Sequence, residues 1–279
     1  MSGLMAVFWK ELVDHLSGWR FIILFLFIYA AGLSAWWIAN QYIRSEVTET
    51  SKFIFLRLFA VSGGEIGSFL FFMSILLPIV GIVLGFDAIN SERTSGNLSR
   101  LLSQPVYRDS VINGKFLAGL VTLSLLVMSI VAIVAGLGLR SIGVPPTSEE
   151  VLRLLSFVLL SIIYGAFWMS LATLFSVFFN RIATSALASL GLWFFLFVFF
   201  LFGIVRVSPI FLYREAVTML LLPRTMAGVS VVPVDLVFPL PFGQSLLLIW
   251  PQIVSLIALA AVCFAVSYIK FMREEIRPT

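Results

Sequence analysis

Few side chains in this chain of 279 residues are placed to do chemistry. The single histidine, His15, and the single cysteine, Cys263, exclude an ordinary Cys/His zinc site, and Cys263 has no partner for an intrachain disulfide. Glu149, Glu150 and Arg153 could form an acid–base group, but His15 lies outside the apolar runs and cannot join them there. No Gly-x-Ser-x-Gly, Ser/His pairing or acidic pair sits inside those runs. Gly114-Lys115 is followed by Phe116 rather than Ser or Thr, and Asp109 stands where a P-loop needs its first glycine, so there is no Walker A motif. What remains is the stretch 85–115, where Asp87, Glu92, Arg93, Arg100, Arg108, Asp109 and Lys115 are gathered between two apolar runs. Charge concentrated in one connector, without a histidine or cysteine, suits contact with another protein.

The elements around that connector belong to a membrane. The chain is 61% hydrophobic and only 11% charged, with mean hydropathy +1.09. Soluble domains carry about 45–50% apolar and about 25% charged residues. The net charge of +4 therefore reads as membrane flanks and headgroup contacts rather than nucleic-acid binding. A spanning helix needs about 20 apolar residues. Runs at 21–39, 66–86, 116–139, 154–179, 182–205 and 245–269 meet that length, which predicts an all-α integral membrane protein with six spans. The first run is too long for the apolar core of a signal peptide, roughly 7–15 residues. Six spans put both termini on one side. Ten of the 18 basic residues then share that side, with the excess at 85–115 and the C-terminal tail, which points to cytoplasmic termini.

Shorter elements flank the spans. Residues 1–20 alternate apolar and polar side chains at helical spacing, with Leu4, Phe8, Leu12, Leu16 and Trp19 near one face, as in a helix lying in the headgroup layer. The connector 206–244 holds an apolar segment, 211–223, that is too short to span and reads as re-entrant or interfacial, either an outer cap or a plug. The segment 53–59 in the first outer connector is a second such piece. Within 85–115, Leu98, Leu101 and Leu102 give a small apolar face at i, i+3, i+4. Gly96 permits a kink, Pro105 ends the helix, and Asp109 is the expected N-cap of the next one. Gly81 and Gly85 could let two helices approach closely.

The pattern Asp87-x₄-Glu92-Arg93-x₂-Gly96-x-Leu98-x₂-Leu101-Leu102-x₂-Pro105-x₂-Arg108-x₂-Val111-x₂-Gly114-Lys115 resembles the cytoplasmic coupling region of ABC-2-type transporter permeases. More narrowly it is similar to the six-helix permeases that include the one serving nitrous oxide reductase maturation. Lys10-Glu11-Leu12 in an amphipathic N-terminal helix fits the same family, and the likeness covers the whole chain as a single transmembrane domain, 1–279. Asn97 departs from it, where the family more often has Thr.

The resemblance implies a permease that pairs with a second copy, a homodimer in the plasma membrane, and rests on a cytoplasmic ATPase subunit. ATP and Mg would be bound by that partner, and this chain would hold no cofactor and be no enzyme itself. It also implies export, and an outer-side accessory protein is compatible with it. The coupling region, 90–113, would then contact the ATPase through Glu92, Arg93, Gly96, Leu98, Leu101, Leu102 and Arg108, supported by Lys10 and Glu11. The rival readings are a motor-independent channel or an intramembrane enzyme. For the latter, Glu149-Glu150-x-x-Arg153 falls one residue short of the signature of prenyl-protein proteases. For the former, the runs carry almost no charge, whereas ion pathways are usually marked by buried ionisable groups. Ser34, Asn40, Thr173, Ser176, Thr184 and Ser185 are the polar groups the runs do offer.

Overall fold

A computed structural model of the protein describes residues 3–46, 53–60, 67–94, 107–143, 145–202, 208–222 and 240–273. Ten helices cover them: α1 (Gly3–Ser17), α2 (Trp19–Glu46), α3 (Ile54–Ala60), α4 (Phe69–Gly85), α5 (Asn90–Thr94), α6 (Arg108–Ile142), α7 (Ser148–Phe178), α8 (Ile182–Leu201), α9 (Pro209–Leu221) and α10 (Phe242–Arg273). Six stretches are long and apolar enough to cross a membrane: α2, α4 continued through α5, α6, α7, α8 and α10.

α7 is the central post, packed most extensively against α4 and α10. Gly81 and Gly85 make the α4 contact possible. A Cβ at Gly81 would collide with the Gly165 carbonyl, and one at Gly85 would lie 2.5 Å from the Met169 carbonyl. The glycine pair thus serves packing within the chain. Pro78 sits inside α4 and cannot donate to the carbonyl of Ser74 four residues earlier. Tyr164 of α7 donates its hydroxyl to that carbonyl at 3.0 Å, repairing the bond where no water would. Its ring stacks on Tyr213 of α9 at 4.2 Å, and the Tyr213 hydroxyl bonds Ser161 at 2.8 Å. α9, within the apolar segment expected to cap or plug, buries Ile210, Tyr213, Val217 and Leu220 and packs against α7 and α10.

The covering is uneven. Of their apolar stretches, α4, α6 and α7 have 67%, 50% and 56% buried, but α2, α8 and α10 only 17%, 11% and 11%. Those last three present the bundle's outer wall.

Three local expectations need correction. Helix α6 begins at Arg108 with Tyr107 at its N-cap, so Asp109 lies in the first turn, where its carboxylate accepts the Ser110 N–H and favours the helix dipole. Helix α7 starts at Ser148, because Thr147 and Glu150 form a reciprocal capping box. Glu149, Glu150 and Arg153 are therefore part of the fourth spanning helix, which apolarity alone had started at 154. In α1, Leu12 turns inward with Val7 against α6, while Met5, Trp9, Val13 and Leu16 form the exposed apolar stripe. The region 90–113 is described as α5 and the start of α6. Gly96, Leu98, Leu101, Leu102 and Pro105 lie outside the described residues.

Candidate functional site

At the end of the bundle that carries α1, charged side chains from five elements converge. Gly114 on α6 lets α1 settle close, since a Cβ there would stand 3.0 Å from a Val7 methyl and 3.2 Å from the Leu4 carbonyl. The neighbouring Lys115 then points its ammonium into the seam. It donates to Glu11 Oε1 at 2.7 Å and pairs with Glu92 Oε1 of α5 at 2.9 Å, with only 9% of its side chain exposed. Lys10, 56% exposed, reaches Glu11 at 3.2 Å and Glu92 at 3.9 Å from the outside. Beside this cluster, Arg20 at the start of α2 donates to Asp87 Oδ2 at 2.9 Å.

The electrostatics follow from burial and pairing. Burial works to raise the Glu11 carboxyl, but the Lys115 ammonium, with Lys10 behind it, overrides this and holds it below the usual carboxylate range. Burial lowers His15, one turn further along α1, despite the Glu11 and Asp14 carboxylates nearby. The His15 ring packs on Phe21 at 4.6 Å between centroids, with Nδ1 3.4 Å from Thr122 Oγ1.

Helix α5 is tied on its other side to α7. Ser176 Oγ accepts the N–H groups of Ile89 and Asn90 at 2.9 and 3.2 Å, satisfying the start of α5. Arg93 donates to the Val177 carbonyl and to Asn180 Oδ1, each at 3.4 Å. Ser185 of α8 donates to the Phe86 carbonyl at 2.8 Å. Below, Ile89, Ile112, Val177 and Phe271 form an apolar cluster joining the ends of α4, α7 and α10 to the start of α6.

Of the residues singled out from the sequence, Lys10, Glu11, Glu92 and Arg93 thus come together around α5, and Arg108 opens α6 half-buried. Glu11 and Glu92 face Lys115, with 12% and 10% of their side chains exposed. Ser176 and Asn180 were not recognised as parts of the site. Ser176 was noted as a modest polar group, and nothing in its spacing showed that it would cap a helix 86 residues away. Other polar groups of the spans serve their own backbone: Ser34, Thr173 and Thr184 each donate to a helix carbonyl within four residues.

The opposite end has its own charged centre. Arg153, with no exposed surface, bonds Glu149, Ser245 Oγ and the carbonyls of Leu220 and Leu240, and lies over the rings of Phe53 and Phe242. Glu150 accepts the Phe55 N–H at 3.1 Å. The acid–base group read from the sequence is therefore engaged in joining α3, α7, α9 and α10.

Two comparisons bear on what such a bundle is. The family model described as ABC-2 family transporter protein matches residues 5–276. A probable ABC transporter permease protein NosY from Pseudomonas aeruginosa is 28% identical over 207 residues, 70% of this chain and 69% of that protein. A protein of the same name from Stutzerimonas stutzeri is 29% identical over 125 residues, 43% of each. With six membrane-crossing helices and a match over nearly its whole length, the chain belongs to the ABC-2 family of transporter proteins, as a multi-pass membrane subunit of an ABC transporter.

Proposed function

We propose that the chain forms the translocation path of an exporter as a homodimer, with both termini cytoplasmic and a separate ATP-hydrolysing subunit docked on the α1 end. The observation that best supports this is the anchoring of α5. That five-residue helix leads directly into 95–106, and it is fixed to α1 and α6 through Lys115 and to α7 through Ser176 and Arg93. A push on 95–106 is thereby delivered to several spanning helices at once, as a motor that switches a stiff bundle between two states requires.

In this reading Gly96, Leu98, Leu101 and Leu102 touch the ATPase, with Arg93, Arg108 and exposed Lys10 at the margin. Glu11 and Glu92 face inward and transmit the load. ATP and Mg are held by the partner. The plug made by α9 and the Arg153 centre would then close the outer end, beside any outer accessory protein. A motor-independent channel or an intramembrane enzyme has less support: Glu149, Glu150 and Arg153 are engaged in structure, and Ser34, Thr173 and Thr184 donate to nearby backbone carbonyls.

The test is a gentle-detergent pull-down of the tagged chain from its native membrane. A P-loop subunit should co-purify in fixed ratio and be lost when Leu98, Leu101 and Leu102 are all changed to Asp in a chain that still folds. A folded chain emerging alone would overturn the reading.

A further inference from the structure

Between α1 and the bundle, next to the ion cluster, lies a cavity of about 170 Å³. One water needs only about 10–15 Å³ of such space, while pockets for drug-sized ligands run to roughly 300–1,000 Å³. The space therefore suits a small polar group. Its walls differ in character. One is acidic: Glu11 and Asp14 from α1, and Asp87 from the turn after α4. One is apolar: Phe21, Val83 and Leu84. The cations facing it are Arg20 and Lys115, and His15 lines it as well.

These groups are unequally occupied. Lys115 is saturated by two carboxylates. Asp14, 60% exposed, has as its nearest cation Lys10 at 4.0 Å, which leaves its oxygens able to accept more. Arg20, 72% exposed, spends one nitrogen on Asp87, and a guanidinium carries five N–H donors. The cavity thus has at its edge a spare carboxylate, Asp14, and a guanidinium with donors to spare, Arg20, with Asp87, in the turn after α4, behind them. In sequence, Arg20 follows Trp19, 79% exposed, and Asp14 follows Val13 of the exposed apolar stripe of α1, Met5, Trp9, Val13 and Leu16. A Trp and a Lys/Arg beside an exposed apolar stripe mark the headgroup level of a bilayer.

We propose that this cavity binds the phosphoethanolamine headgroup of a membrane phospholipid, its primary ammonium on Asp14 and Asp87 and its phosphodiester on Arg20. The glycerol end lies against Phe21, and the acyl chains leave along the exposed stripe of α1. A trimethylated headgroup has no N–H to give the carboxylates, and a glycerol headgroup brings them neutral hydroxyls in place of a cation. The site therefore selects the primary amine.

Thermal unfolding of the purified full-length chain in a neutral detergent tests this, with added phosphatidylethanolamine, phosphatidylcholine or phosphatidylglycerol of identical acyl chains, or soluble glycerophosphoethanolamine. The ethanolamine lipid should stabilise at concentrations about tenfold lower than the choline lipid, the value of one charge-assisted hydrogen bond. Asp14→Asn should remove most of that preference, read as the lipid-induced shift from each variant's own lipid-free melting point, and Arg20→Gln should weaken both zwitterionic lipids. Equal stabilisation by all three lipids, or a preference for the glycerol headgroup, would overturn the proposal. So would an undiminished ethanolamine preference in Asp14→Asn. Protection by the soluble headgroup at equal concentration would assign the site to a free phosphoamine and overturn the lipid assignment.

Discussion

Lys115 shows what a buried charge does when it is doubly paired. From the sequence it reads as an anchor at the membrane boundary, and Glu11 as a contact for another protein. Which partner a charged residue takes is set by tertiary approach, here made possible by Gly114, and Glu11 lies 104 positions away. No local pattern could show that pairing. Lys115→Met would leave Glu11 and Glu92, in a seam with little water, with the more exposed Lys10 as the cation left within 4 Å among the described residues. Removing one member of a buried ion pair costs about 3–5 kcal/mol. We expect a drop in melting temperature for Lys115→Met, largely recovered when Glu11→Gln and Glu92→Gln are added, because two neutral amides can hydrogen-bond each other and no carboxylate is left facing the methionine. Thermal unfolding of the purified variants checks this. A triple variant no more stable than Lys115→Met would mean that shape, rather than charge, holds the seam.

Among the elements, α1 is the one whose attachment depends on titratable groups. Its inner face meets α6 through Val7, Leu12, Glu11 and His15, and the charges facing it there are Lys115 and Glu92, with Asp14 on α1 itself. Both shifted groups act in the same direction. His15 has its pKa lowered by burial, so the undocked helix takes up the proton first, and docking weakens as pH falls below the ordinary value of 6.5. Glu11 is held below the carboxylate range, so its contribution is present above that range and disappears as pH drops through the lowered value. Hydrogen exchange of the α1 amides, corrected for intrinsic rates, should therefore show faster opening at pH 5.5 than at pH 7.5. His15→Gln should flatten that step. Unchanged exchange would mean that apolar contacts alone hold α1. The existence of α1 was legible from its 3.6-residue periodicity, but its facing was not. Apolar residues occupy both its sides, one for α6 and one exposed, and Leu12 could have belonged to either.

The molecule as a whole is a bundle clamped by charge at both ends and apolar between them, with α7 running from one clamp to the other. Its N-terminal turns carry Glu149, Glu150 and Arg153, and its last turns and the residues after them hold α5 through Ser176, Val177 and Asn180. The six spans were readable because twenty apolar residues in a row have few other uses, whereas the clamps were hidden. Arg153 fell just outside the apolar run, and two of its four partners are backbone carbonyls, which no side-chain pattern can announce. If the clamps work independently, disturbing one should leave the other intact. Arg153→Met removes the tie joining Glu149, Ser245 and two carbonyls, at about 1–3 kcal/mol for each buried acceptor left without its donor. We expect limited proteolysis to cut the chain between α9 and α10 faster in this variant, while capture of the P-loop subunit at the α1 end stays the same. If capture falls together with the faster cutting, α7 transmits strain over its full length, and the Arg153 centre belongs to the switching machinery rather than to a passive closure.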